Sequence, residues 1–161
     1  MVTRKTVYAL RALFHLARAG TGKPQLAAEI AASENIPRRF LDSILRQLSN
    51  AGLLTSSRGR GGGYSLRSPA NQINVASVVR ILDGAAFPCP CLNWDNPVRC
   101  AECPGPHACA AHTALGVMGN AAQHVLEDMT LADLVQRMER APTDPQTRSL
   151  PIVSRSVGIP T

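Results

Sequence analysis

With 161 residues, 45% of them hydrophobic, the chain can bury one core without disulfide staples and has length left for an appended element. Its 17 Lys and Arg against 11 Asp and Glu give a formal charge of +6, which favours a polyanionic partner such as nucleic acid. No run approaches the roughly 18 consecutive apolar residues of a membrane span, and the N-terminus passes from Arg4 and Lys5 directly into a helical rhythm, so a cytoplasmic protein with no membrane partner is expected.

Between Thr3 and Ala19 the apolar residues Val7, Leu10, Leu13, Phe14, Leu16 and Ala17 recur at spacings of three and four, which predicts an amphipathic helix ended by Gly20 and Gly22. A second helix is expected from Pro24 to Ser33, with Pro24 in its first turn and Leu26, Ala27 and Ile30 facing inward. Glu34-Asn35-Ile36 reads as a tight turn. A third helix then starts near Pro37, places Phe40, Leu41, Ile44, Leu45 and Leu48 on its core face and stops at Asn50-Ala51-Gly52. Two short helices meeting at a turn make a helix-turn-helix. Leu53 to Ser56 and Tyr64 to Leu66 read as strands joined by Ser57-Arg58-Gly59-Arg60-Gly61-Gly62-Gly63, a hairpin wing whose glycines supply the turn.

Ser68-Pro69-Ala70-Asn71 closes the hairpin, and Val75, Val78, Val79 and Leu82 give a helix that Asp83-Gly84 ends. From Phe87 to Pro106 the prolines Pro88, Pro90, Pro97, Pro104 and Pro106 interrupt any period, so a loop is expected. Periodicity returns from Cys109 to Met129, where Ala114, Leu115, Val117, Met118, Ala121, Ala122, Val125 and Leu126 form a small-residue face suited to packing against a second copy of the chain. Thr130, with Asp133 at the capping-box spacing, starts a last helix over Leu131, Leu134, Val135 and Met138. The expected fold is therefore mainly α with a small β-hairpin wing. Its parts are a winged helix-turn-helix over 1–84, a cysteine-rich loop over 85–108, a dimerisation helix and C-terminal helix over 109–141, and a disordered tail over 142–161.

A recognition helix presents its N-terminal residues to base edges in the major groove. Here that end carries Arg38 and Arg39, able to make bidentate contacts to guanine or phosphate, with Ser43 and Arg46 one to two turns further on. At the wing, Arg58 and Arg60 can enter a narrow, electronegative minor groove, while Gly61 and Gly62, without side chains, let the backbone approach the duplex. The alternative is a merely solvated basic face. A phosphate-binding P-loop is disfavoured because the glycine run lacks the Lys-Ser/Thr ending, and no Ser/His/Asp order or paired carboxylates suggest an enzyme.

Cys89, Cys91, Cys100, Cys103 and Cys109, with His107 and His112, put seven soft or borderline metal ligands into 24 positions. In a reduced compartment such crowding points to an iron–sulfur cluster or to zinc. Cys100-x2-Cys103 has a zinc-knuckle spacing, but no clean second pair accompanies it. A redox disulfide is the third possibility.

Leu26-Ala27-Ala28-Glu29-Ile30, Phe40-Leu41, Leu48 to Leu53, Arg58 to Tyr64 and the cysteine loop together resemble the IscR/NsrR/RirA-type iron–sulfur regulators, over roughly residues 3 to 140. The resemblance implies a homodimeric DNA-binding regulator that senses iron, redox or cluster status, in which cluster state alters the helix-turn-helix geometry; Tyr64 enters the DNA-contacting set as the end of the wing motif. It also implies ligands. Cys103-x5-Cys109-x2-His112 matches the last two cysteines and the histidine of the IscR-like pattern, favouring [2Fe–2S] over [4Fe–4S]. The first cysteine of that pattern would fall near Pro97, so Cys91 is preferred with Cys100 as its rival; Cys89 is left as a spare thiol, His107 as a bystander, and Glu102 as an optional oxygen ligand. An acidic residue that NsrR-like members recruit from the first helix is replaced by Val7. His112 also reads as an ordinary helix-start histidine.

Overall fold

Six helices and one hairpin follow the chain in the computed structural model, which describes residues 3–59, 61–84, 90–93, 98–105 and 108–140. Arg60, Cys89, His107 and the tail expected over 142–161 lie outside the described residues. The first helix, α1 (Arg4–Ala19), runs through the centre and packs against the third, fourth and sixth helices and the second strand. Its buried side chains are Thr6, Ala9, Ala12, Leu13 and Leu16, whereas Val7 is 46% exposed. The expected stripe is therefore rotated. Ala9 and Ala12, fully buried, let neighbouring helices come close, a role that a count of large apolar residues overlooks.

The second helix, α2 (Ala27–Ser33), begins three residues later than Pro24. Gln25 is held in extended geometry: its N–H donates to Tyr64 C=O and its C=O accepts from Tyr64 N–H, both at 2.9 Å. Leu26, expected inside, becomes the N-cap and is 49% exposed, while its N–H donates to the Glu29 carboxylate at 3.3 Å. At the turn Asn35 adopts φ +49°, a left-handed conformation that Asn tolerates, and Ile36 is buried beyond it. Helix α3 (Arg38–Asn50) starts after Pro37 and buries Leu41, Ile44, Leu45 and Leu48. Phe40 departs from the expectation. It is 48% exposed, because the core covers an arc centred between Leu41 and Ile44 that leaves Phe40 on its edge.

The wing is the antiparallel pair β1 (Leu54–Ser57) and β2 (Gly63–Leu66), in the register Leu54 opposite Leu66 and Ser57 opposite Gly63. Leu54 and Leu66 anchor its base in the core. Gln25 pairs on the other side of Tyr64, adding a one-residue third rung that binds the hairpin to the entry of α2. Gly63, at φ +146°, is needed there: a Cβ would run into the Gln25 backbone.

Helix α4 (Val75–Asp83) is capped by Asn74, whose side chain accepts from Ser77 N–H at 2.8 Å, and ends at Gly84 with φ +70°. A 3-10 turn at Pro90–Leu92 brings Leu92 down to 5% exposure beside helix α5 (Ala110–Glu127). Helix α5 also packs on α4, with Arg80 and Glu127 paired at 3.7 Å. The predicted Thr130 cap is present: Thr130 N–H donates to the Asp133 carboxylate at 2.9 Å and Asp133 N–H returns to Thr130 Oγ1 at 3.2 Å. It opens α6 (Leu131–Arg140), which folds back on α1 and buries Leu131 in the main core. Two backbone bonds, Val75 N–H to Met129 C=O at 2.8 Å and Leu131 N–H to Ile73 C=O at 2.9 Å, secure that return.

The start of α1 is clasped to the end of α4. Asp83 accepts from Thr3 N–H and Thr6 Oγ1, each at 2.8 Å, and from Thr3 Oγ1 at 2.5 Å. Desolvation pushes its carboxyl upward, but these bonds, with the nearby Lys5 charge, outweigh it and hold the pKa below 3.8. A lowered folded-state pKa means stability that is fully present above 3.8 and is lost as pH falls through the lowered value. Asp83→Ala should cost about 1–2 kcal/mol in urea unfolding at neutral pH, with the deficit against wild type shrinking on acidification; equal deficits at neutral and acid pH would show that the clasp is not ionic. Gly63→Ala should cost roughly 1–3 kcal/mol by the same measurement, because the backbone strain and the clash with Gln25 act together.

Candidate nucleic-acid interface and cysteine loop

Pro37 fixes the entry to α3, so Arg38 and Arg39 occupy its first turn and are exposed, with Ser43 and Arg46 exposed further along. The structure thus brings the four predicted α3 residues onto the solvent side of one helix. Arg38 is not free. Its Nε donates to Asp42 at 2.8 Å, an i,i+4 pair that holds the guanidinium along the helix. Arg39 instead lies over the Phe40 ring, 4.8 Å from its centroid.

At the wing tip Gly62 N–H donates to Gly59 C=O at 3.0 Å, closing a turn in which Gly59 and Gly61 have φ of +96° and +83°. Arg58 and Gly61 are exposed. Gly62 is buried beneath the turn, where a Cβ would strike the Ser57 carbonyl, so its lack of a side chain serves the turn itself. Tyr64 is half-buried against the core and holds the wing through Gln25. Neither Asp42 nor Gln25 was singled out from the sequence. The spacing from Arg38 to Asp42 could have revealed the first, whereas the second depends on a long-range backbone pairing with no side-chain signature.

In the cysteine loop, Cys103 N–H donates to Cys100 C=O at 3.2 Å, so these two residues flank one turn; Cys100 is exposed and Cys103 half-buried. Cys109 is the N-cap of α5, and its Sγ accepts from His112 N–H at 3.4 Å. His112 is half-buried in the first turn of α5. Cys91 is half-buried in the 3-10 turn that Leu92 packs against α5. Glu102 is exposed in the turn between Cys100 and Cys103. Among the described residues no three His, Cys, Asp or Glu side chains converge into a metal-binding group. The donor set nevertheless suits thiophilic iron or zinc: three thiols and an imidazole lie between Cys100 and His112, two of the thiols across one turn.

No helix among the described residues is long and apolar enough to cross a membrane. Residues 2–137 match the model of the Rrf2 family, described as an iron-dependent transcriptional regulator. An rrf2-like HTH-type transcriptional regulator of Rhodobacter capsulatus is 36% identical over 138 residues, 84% of this chain and 92% of that protein. The protein rrf2 of Nitratidesulfovibrio vulgaris is 32% identical over 141 residues, 88% of this chain and 91% of its own. Among solved structures, CymR, the global cysteine regulator of B. subtilis, superposes with a TM-score of 0.68 at 29% identity, covering 84% of this chain and 96% of CymR. T. potens IscR has the same fold, with a TM-score of 0.68 at 23% identity over 89% of this chain and 93% of that one. The chain belongs to the Rrf2 family and is a DNA-binding winged helix-turn-helix transcriptional regulator, not an enzyme.

Proposed function

We propose that the chain acts as a homodimer that sets two α3 helices into successive major grooves of duplex DNA, and that an iron–sulfur cluster held between Cys91 and His112 sets how the pair is spaced. The observation that carries this reading is α5. It is 18 residues long, yet Gly119 is its only buried residue, and Val117, Met118 and Val125 are 68%, 54% and 45% exposed. A helix with so little burial draws scant stability from its own chain, and an apolar face of this size calls for a partner. A second α5, packed through the small Ala114, Ala121 and Ala122, supplies one.

The same helix begins at Cys109, so a ligand that engages that thiol acts directly on the dimer element. Cys103 and Cys109, with Cys91 or Cys100 as the third thiolate and His112 as the fourth donor, would hold the cluster; the turn joining Cys100 to Cys103 favours Cys100. Such a group, [2Fe–2S] in preference to [4Fe–4S], supplies reversible one-electron chemistry and a rigid tie among its ligands. The chain's own part is mechanical. Engaged thiols fix the loop against α5, while α4 and the Ile73 to Leu131 pairing relay the position of α5 to the reading head. Half-sites lie about 34 Å apart on DNA, so a small rotation between subunits alters how both α3 helices dock.

The sequence-wide segments expected at 1–84, 85–108 and 109–141 serve here as reader, sensor loop and dimer arm. A second reading, zinc in place of iron, is supported by the Cys100-x2-Cys103 pair, which has the spacing of a zinc knuckle and spans one backbone turn.

Anaerobic purification or reconstitution should yield a brown protein with matching iron and acid-labile sulfide; colourless material that binds zinc and refuses iron would replace this reading with the second. Cys109→Ala should lose the visible absorbance and stay folded, with a melting midpoint below that of the cluster-loaded wild type because the bound group and the α5 cap are both gone, and comparing Cys91→Ala with Cys100→Ala identifies the third thiol. Arg58→Ala should weaken duplex binding and lower the salt dependence of log K by about 0.9, the share of one phosphate contact. Val117→Asp should convert dimer to monomer in sedimentation, with DNA affinity falling in parallel.

A further inference from the structure

We propose that Phe40 is a specificity-determining residue that contacts the C5 methyl of a thymine in the major groove, with Arg39 stacked on it as a fixed neighbouring donor. The inference rests on α3 being the helix that enters that groove.

Phe40 is the third residue of α3 and its spacing to Leu41 and Ile44 would suit a core position, yet 48% of it is exposed. A large aromatic ring left half in water forgoes much of the stabilisation that burying it would contribute. The ring lies in the first turn of α3, the end of a recognition helix that meets base edges. Its surroundings suit reading. Arg38 is drawn toward Asp42 at 2.8 Å, away from the first turn's outer edge, whereas the Arg39 guanidinium sits 4.8 Å from the Phe40 centroid. The stacking removes rotamer freedom that Arg39 would otherwise lose on binding, and it presents a planar fork beside an apolar plate.

Along the major-groove floor, base pairs offer hydrogen-bonding groups and one apolar feature, the thymine methyl. An apolar plate without a hydroxyl can discriminate only by that methyl. The plate and fork together suit a thymine next to a guanine, whose O6 and N7 accept the bidentate donors of Arg39.

The test starts from duplexes enriched by the full-length wild-type protein out of a random pool. Each thymine of an enriched duplex is then replaced singly by uracil, which removes the methyl and keeps every hydrogen-bonding group. At one or more positions the replacement should weaken wild-type binding about fourfold, the worth of one buried methyl group. Phe40→Ala should bind the thymine duplex more weakly and show no difference between thymine and uracil there. Phe40→Leu, which keeps an apolar side chain and the helix, should retain part of the difference. Indifference of the wild type to every uracil overturns the proposal without any variant, as does a penalty that survives unchanged in Phe40→Ala or Phe40→Leu. A pool that yields no enriched duplex removes the DNA-reading role of α3 as well, so the two failures are distinct.

Discussion

Two backbone hydrogen bonds between Gln25 and Tyr64 make the wing and the helix-turn-helix one body. A two-stranded hairpin is marginal in water on its own, and this one has only four residues in each strand. What steadies it is the anchoring of Leu54 and Leu66 in the core and the extra rung from the segment that leads into α2. The basic tip at Arg58 and the exposed face of α3 thus keep a fixed mutual geometry, which a protein touching two grooves requires. Gly63 is the point at which that arrangement meets a steric limit, since the neighbouring backbone leaves no room for a side chain.

Much of this was legible in the sequence because the signals are local. The turn at Asn35, the strand pair around the glycine run, the Thr130 and Asp133 cap and the stop at Gly84 all come from short-range chemistry that tertiary contacts leave undisturbed. The misplaced details have a shared cause. Val7, Leu26 and Phe40 are apolar and sit at helical spacing, but which arc of a helix is buried depends on what packs against it. On α1 the neighbours select the alanines and Thr6; at α2 the pairing of Gln25 pulls three residues out of the helix; on α3 the core stops short of Phe40.

The site was legible to different depths. The basic residues on α3 and at the wing follow from fold and position together, while the pairing of Arg38 with Asp42 and of Arg39 with Phe40 emerges only with side chains in place. For the cysteines, spacing announces an appetite for soft metals, but one chain does not bring three ligands together among its described residues. That gap has a physical sense. Prolines and Gly105 interrupt any helical or strand period there, so the local pattern fixes no arrangement of the thiols.

The clasp of Asp83 on α1 and the pairing of Ile73 with Leu131 lie at the two borders of the stretch that holds the cysteines and α5. Both borders are riveted to the same core, one through an ionic knot and one through main-chain rungs. The intervening stretch sits like a cartridge in a housing: both of its ends are held by the core, so a change of length or chemistry between them leaves those two anchor points in place. A lineage built on this chassis could therefore acquire new signals by rewriting one internal span and leave its DNA vocabulary untouched.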